Sequence, residues 1–360
     1  MKELFRKAIL WTGVSVSCVL SFAIVTRYLP GTTGVENGLK KGGKTGRQSV
    51  TLLAFGDVNL GRLVGQRILK DEIGYPFQKI ALKPGSADIV FANLESELSD
   101  QNGETQDPHH NMIFTGPPNG AFSLASFGFT VVSTANNHAY DYGRNALFET
   151  LKHLDDQNIA HAGTVRSAGG LYEPLMFEKK GIRFALFAAT DLMNFKGGWH
   201  EYVATTDTAK LFPAIREAAA SVDVVIVSVH GGDEYADEPT KHIREFAEQC
   251  VRQGVRIVLG HHPHVPYGVE LIGNSYIFHS LGNFVFYQPQ LYWTQVSYAV
   301  ELELERIGST VSITSVNCIP LKAGYQPSIL TDSSALAMLQ HRVQSNSNIP
   351  IMLTKKGYLN

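Results

Sequence analysis

Five short runs rich in apolar and β-branched residues recur along this chain, and each breaks off into a cluster of Asp, Asn, Glu or His. Thr51 to Phe55 leads into Gly56-Asp57-Val58-Asn59, Ile89 to Ala92 into Asn93-Leu94-Glu95, and Thr130 to Thr134 into Asn136-Asn137-His138 with Asp141. Val222 to Val229 delivers His230-Gly231-Gly232-Asp233-Glu234, and Val255 to Leu259 delivers Gly260-His261-His262-Pro263-His264. Runs of this length read as buried strands. Each cluster then sits at the carboxyl edge of a sheet, where open α/β sheets bind ligands.

Helical patterns separate the runs, over Gly120 to Phe127, Arg144 to Gln157, Thr208 to Ala220 and Pro239 to Gln253. Further strands are expected over Arg183 to Ala188, Ser275 to His279, Val296 to Leu304 and Val311 to Cys318. The alternation argues an α/β fold, and the late hairpin-like strands argue an antiparallel portion or a second sheet packed on the first. Asn93 to Pro118 is polar with little helix or strand pattern, so a long binding loop or lid is expected there. A short amphipathic helix, Ser333 to Val343, closes the fold with His341 at its surface.

At 360 residues the chain is long enough for one large core plus a small appendage. Its net charge of -2 offers no basic footprint, which excludes nucleic acid as a default partner. At the N-terminus Lys2, Arg6 and Lys7 precede Ala8 to Thr26, a stretch without a charged side chain. It has the length of a membrane-spanning helix, and the preceding cations favour a cytoplasmic N-terminus with the remainder outside the membrane. A cleaved signal peptide and a buried core helix are the alternatives. The expected organisation is an anchor over 1–30, a flexible linker over 31–49, a main domain over 50–325 and a C-terminal extension over 326–360. Lys40, Lys41, Lys44 and Arg47 make the linker basic, suited either to solvent or to anionic headgroups and polyanions. Cys18, Cys250 and Cys318 form no disulfide framework and read as buried thiols outside any site.

Each polar cluster taken alone has an ordinary structural explanation, such as a helix-capping aspartate at Asp57 or a turn at Asn136 to His138. Jointly they assemble a ligand set. Asp57 and Glu95 supply carboxylates, Asn137 a carbonyl oxygen, and His230, His262 and His264 imidazoles. That inventory suits one or two divalent transition ions, Mn, Zn or Fe, better than Ca, which takes oxygen ligands almost exclusively.

Six motifs in order carry a resemblance: Gly56-Asp57-Val58-Asn59-Leu60-Gly61-Arg62, Ala92-Asn93-Leu94-Glu95, Ala135-Asn136-Asn137-His138-Ala139-x-Asp141-x-Gly143, His230-Gly231-Gly232-x-Glu234-Tyr235, Gly260-His261-His262-Pro263-His264-Val265 and Ser280-Leu281-Gly282-Asn283-Phe284. Over about residues 50 to 320 the chain resembles the CapA family of capsule and poly-γ-glutamate synthesis proteins, within the calcineurin-like metallophosphatase superfamily. The resemblance implies a four-layer α/β/β/α sandwich with metals at the sheet edges. It implies that Asn137, His230 and His262 hold one metal, that Asp57 and His264 hold the other, and that Glu95 takes the bridging place. His138 would donate a proton to the leaving group or steady phosphoryl oxygens. Asn59, Asp141, Glu234, His261 and Asn283 would orient ligands or contact substrate. The chain departs from the wider superfamily where Asn59 replaces a histidine and Glu95 an aspartate, which weakens the Asp57 metal position.

Two functions follow. In one, an extracytoplasmic centre hydrolyses or transfers a phosphoester or amide of an anionic envelope polymer such as poly-γ-glutamate. In the other, the chain is a non-catalytic, membrane-tethered accessory subunit of a polymer synthase or transporter. A Gly-x-x-x-x-Gly-Lys-Ser/Thr loop is lacking, so the ATP-dependent ligase is expected to be another subunit.

Overall fold

The computed structural model describes residues 48–354 apart from 83, 168, 195 and 196. The expected anchor, the basic side chains of the linker and Cys18 lie outside the described residues. Among those described, no helix is long and apolar enough to cross a membrane.

The first half of the chain contributes β1 (Ser49–Val58), α1 (Arg62–Ile68), β2 (Ile89–Leu94), β3 (Glu97–Leu98), β4 (Gln106–Asp107), β5 (His110–Gly116), α2 (Gly120–Phe127), β6 (Val131–Ser133), α3 (Gly143–Asp156), β7 (Ala160–Ala162), β8 (Leu175–Lys179) and β9 (Ile182–Thr190). The second half contributes α4 (Thr208–Ala219), β10 (Val224–His230), α5 (Lys241–Arg252), β11 (Ile257–His261), β12 (Val269–Ile272), β13 (Ser275–Phe278), β14 (Asn283–Val285), β15 (Val296–Ile307), β16 (Thr310–Lys322), β17 (Ser328–Ile329) and α6 (Ser333–Ser345). This is a mixed α/β fold with several sheets. The largest runs β17-β16-β15-β1-β2-β6-β7 with β14 beside β1, the second β12-β13-β11-β10-β9-β8, and a small third β3-β5-β4. In the largest sheet β1, β2, β6 and β7 are parallel, while β15 and β16 form a long antiparallel hairpin beside β1.

The uniformly apolar runs are explained by burial on both strand faces. From β1, Val50, Leu52 and Ala54 enter a core shared by the two large sheets, while Leu53 and Phe55 enter a core with α1 and α2. From β9 and β10, Phe184, Leu186, Val224 and Ile226 enter the shared core, while Ala185, Phe187, Val225 and Val227 pack with α4 and α5. Alternation along a strand then decides where its terminal polar residue points. Asn93 shares the parity of Ile89 and Phe91, His230 that of Val224 and Ile226, and His261 that of Ile257 and Leu259, all six apolar residues belonging to the shared core. Asp57 has the opposite parity to Ala54 and reaches the same side through a bulge, since Ala54 pairs with Phe91 but Asp57 with Asn93. One extra residue re-aims the side chain.

Two glycines allow this edge to close. A Cβ on Gly56 would lie 1.8 Å from the Gly282 carbonyl oxygen, and one on Gly260 would lie 2.0 Å from that of His279. Backbone contact of that kind requires glycine.

The expected loop over Asn93 to Pro118 contains strand structure. The β2 strand continues through Leu94, and β3, β4 and β5 form a small sheet there. Its short polar strands lack the alternation of a half-buried sheet, because β5 begins exposed at His110 to Met112 and becomes buried only from Phe114. Cys250 on α5 and Cys318 on β16 are buried free thiols. The C-terminal residues pack on the shared core through Leu339, Val343, Ile351 and Leu353, and His341 is exposed.

Candidate metal centre

Parallel register sets the polar ends level: Asp57 opposite Asn93 and Asn283, and His230 opposite His261. The two large sheets meet at these ends through side chains. Asp57 Oδ1 accepts from Asn93 Nδ2 at 2.9 Å and lies 3.1 Å from His261 Nδ1, and Asn93 Nδ2 lies 3.2 Å from His230 Nδ1. Asn93 also donates to Glu95 Oε2 at 3.2 Å and accepts from Asn136 Nδ2 at 3.2 Å.

Around this hub stand the expected ligands. His230 Nε2 lies 2.7 Å from Asn137 Oδ1 and 3.9 Å from Glu95 Oε1. His264 Nε2 lies 3.5 Å from Glu95 Oε1, and its Nδ1 lies 3.4 Å from Asp57 Oδ2. The His230 and His262 ring centroids are 4.8 Å apart. Two triads, Glu95 with His262 and His264, and Asp57 with Glu95 and His230, each present ligand atoms within 4.8 Å of one another, with every member buried. His262 and His264 adopt left-handed backbone, with φ of 95° and 59°. Such conformations are uncommon for residues with a Cβ, and surrounding structure must hold them.

Electrostatics separate the donors. Burial, reinforced by nearby His262, lowers the His230 imidazole well below its usual range, and burial with His264 nearby lowers His262 to about 3. Both rings are therefore neutral, the form that ligates metal. Burial opposes charge on Asp57, but hydrogen bonds from His261 and His264 outweigh it and keep the carboxylate well below the ordinary range. Burial and the neighbouring Asp57 push Glu95 well above that range. Glu95 Oε1 and His262 Nδ1 are buried acceptors with no hydrogen-bond partner among the described residues. Unsatisfied buried acceptors are costly, and Glu95 and His262 belong to one triad that could hold a cation.

His138 Nδ1 lies 2.8 Å from Asp141 Oδ2, its backbone N–H donates to Asn136 Oδ1 at 3.1 Å, and its ring rests on Phe114 with centroids 4.1 Å apart. Asn283 Oδ1 lies 2.9 Å from His264 Nδ1. Asn59 is turned to local work, its Oδ1 accepting from the Gly61 N–H at 2.7 Å. The Tyr235 hydroxyl accepts from Gln288 Nε2 at 3.2 Å, and the charge of the adjacent Glu234 bears on Glu95.

Sequence reasoning left Asn93, Asn136 and Asn194 out of the site. The parity of Asn93 with Ile89 and Phe91 was a legible signal. Asn194, which accepts from Asn137 Nδ2 at 3.0 Å and lies 3.3 Å from His138 Nδ1, arrives on an irregular segment after β9 that carried none.

The PGA biosynthesis protein CapA of Bacillus subtilis is 31% identical over 278 residues, covering 74% of this chain and 71% of that protein. The capsule biosynthesis protein CapA of Bacillus anthracis is 27% identical over 279 residues, covering 73% of this chain and 66% of that one. A probable polyglutamine synthesis accessory protein of Mycobacterium tuberculosis is 24% identical over 288 residues, covering 66% of this chain and 74% of its own length. Among solved structures, the calcineurin-like phosphoesterase YfkN of Bacillus subtilis superposes with a TM-score of 0.45 at 11% identity, covering 84% of this chain and 97% of that one. Likeness at that level carries no argument about the site. The sequence profile of the bacterial capsule synthesis protein family PGA_cap matches residues 51–288, more than half of the chain, and together with the CapA relatives it shows that this protein belongs to that family.

Proposed function

We propose that this chain is a membrane-anchored, extracytoplasmic, metal-dependent hydrolase or transferase acting on an envelope polymer in capsule or poly-γ-glutamate production. In this reading residues 1–30 anchor the chain, 31–49 tether it, 50–325 form a metallophosphatase-type α/β/β/α domain, and 326–360 extend it. The observation that carries the proposal is the pair of orphaned acceptors, Glu95 Oε1 and His262 Nδ1, buried among neutral imidazoles and the Asp57 carboxylate. These residues fit a divalent transition ion. Asn137, His230 and His262 would hold one, Asp57 and His264 a second, with Glu95 between them. A bound ion would supply Lewis acidity toward the reacting group and lower the pKa of water.

The chain's own residues do the rest. Asp141 fixes the His138 proton at Nδ1, which leaves Nε2 to exchange a proton with a leaving group. Phe114 packs against one ring face and restricts its rotation. Asn283 orients His264 and His261 orients Asp57, as supporting partners of ligands do.

One observation favours the accessory reading. The Asn59 amide is committed to the Gly61 turn, so the Asp57 position has one strong ligand fewer. The test compares wild type with His138→Ala, each loaded with Mn, for metal content and for turnover of a phosphodiester and of poly-γ-glutamate. The variant is expected to keep its metal and lose turnover by about 100-fold or more. Metal-loaded wild type that turns over neither compound refutes the hydrolase reading. Polymer production that survives His138→Ala but not deletion of the chain supports the accessory role instead.

A further inference from the structure

We infer that Arg62 forms, beside the metal centre, a binding site for an oxyanion carried by the substrate. The inference rests on the proposed centre and deepens it by naming a group that the substrate presents there, a terminal phosphate or carboxylate.

Arg62 is built with care for its direction. Its backbone is left-handed, with φ of 52°, and is held from both sides by one residue: the Arg62 N–H donates to the Thr105 carbonyl at 2.8 Å, and Thr105 Oγ1 donates back to the Arg62 carbonyl at 2.9 Å. A strained conformation locked in this way marks a side chain whose root position matters. The guanidinium carbon lies 4.5 Å from the centre of the Phe114 ring and 5.9 Å from that of Phe286. Those two rings are the ones that pack on the site, Phe114 on His138 at 4.1 Å and Phe286 on His264 at 4.7 Å. The same two rings thus contact the guanidinium and, respectively, the expected proton donor and a metal ligand, which sets the cation one ring away from each.

Among the described residues its donors are largely uncommitted. Nη2 donates to the Asn111 carbonyl at 2.9 Å, and no carboxylate among the described residues pairs with the guanidinium. Partial burial strips it of water and lowers its pKa, and the Tyr325 hydroxyl, Glu95, Tyr235 and Asp141 are the acidic groups near enough to offset that. A half-buried guanidinium has five N–H donors in a planar fork that matches phosphate or carboxylate oxygens. Packing on rings accounts for its position but leaves those donors unspent.

The test uses the full-length protein with and without Mn, titrated calorimetrically with inorganic phosphate and, separately, with glutarate, for wild type, Arg62→Gln and Arg62→Lys. Wild type is expected to bind at least one of the two anions, Arg62→Gln to bind it about tenfold or more weakly, and Arg62→Lys to fall between. Mn affinity and melting temperature of the variants are expected to stay at the wild-type value. Preference for phosphate assigns a phosphoryl group, and preference for glutarate a carboxylate. Equal anion affinity in wild type and Arg62→Gln overturns the inference, as does a wild type that binds neither anion. Anion binding that depends on Arg62 in a protein that takes up no Mn upholds the anion site and refutes the metal centre instead.

Discussion

Replacing Asn93 with Ala tests whether the two sheets are joined by the polar hub as described. The Asn93 side chain is fully buried and carries two N–H hydrogens among three acceptors, Asp57 Oδ1 at 2.9 Å, Glu95 Oε2 at 3.2 Å and His230 Nδ1 at 3.2 Å. At most two of these are satisfied at once, and the contact to charged Asp57 is the strongest. A hydrogen bond to a charged group is worth about 1.5–3 kcal/mol and one between neutral groups about 0.5–1.5 kcal/mol, so Asn93→Ala is expected to destabilise the metal-free protein by about 3 kcal/mol. For a domain of this size that corresponds to a fall in melting temperature of roughly 4 to 6 °C. Urea denaturation of chelator-treated protein measures the free energy, and calorimetric scans with and without Mn measure the rest. Mn is expected to narrow the gap, because a cation takes over the neutralisation of Asp57. A loss below about 1 kcal/mol in the metal-free protein would refute the argument that Asn93 holds buried carboxylates together.

Glu95→Gln keeps the shape and removes a group that burial and Asp57 already push toward its neutral form, so metal-free stability is expected to change by less than about 1 kcal/mol while Mn affinity falls by about 100-fold. Because burial and Asp57 push Glu95 toward its protonated form, Mn binding competes with that proton, so wild-type Mn affinity is expected to rise with pH and titrations should show a shallower rise in Glu95→Gln. Asp223 is opposed by burial yet held down to about 2 by Arg306 and Arg183, so its contribution is full above its ordinary value of 3.8 and disappears as pH falls toward 2. Thermal scans of Asp223→Asn against wild type should show a stability difference at pH 6 that closes by pH 2, and a constant difference would contradict the ion cluster. Gly56→Ala places a methyl group 1.8 Å from the Gly282 carbonyl oxygen and is expected to abolish soluble folded protein, as judged by expression and circular dichroism.

Much of this was readable from residue order. Uniformly apolar runs such as Ile89 to Ala92 and Val224 to Val227 announce strands buried on both faces, because no solvent-facing position is left to be polar. The helices over Gly120–Phe127 and Thr208–Ala219 follow from apolar spacing and, for the latter, from Asp207 capping the Ala209 N–H. The strands β3 to β5 were not readable, since two of them are two residues long and β3 pairs with β5 across 18 positions of chain.

By itself the sequence determined an α/β chain whose strands end in Asp, Asn, Glu and His, and the family to which it belongs. Strand parity ties Asn93 to Ile89 and Phe91, His230 to Val224 and Ile226, and His261 to Ile257 and Leu259, but only the packed sheets show that these faces meet in one core. Only the tertiary structure decided that Asp57 joins them, because the bulge before it inverts its parity and depends on how closely Gly56 meets the Gly282 backbone. Likewise, only packing decided that Asn194 and Arg62 stand beside His138, Asn194 by a direct contact and Arg62 across the Phe114 ring. Both positions depend on contacts between residues far apart in the chain, and local propensity carries no information about which distant segments meet.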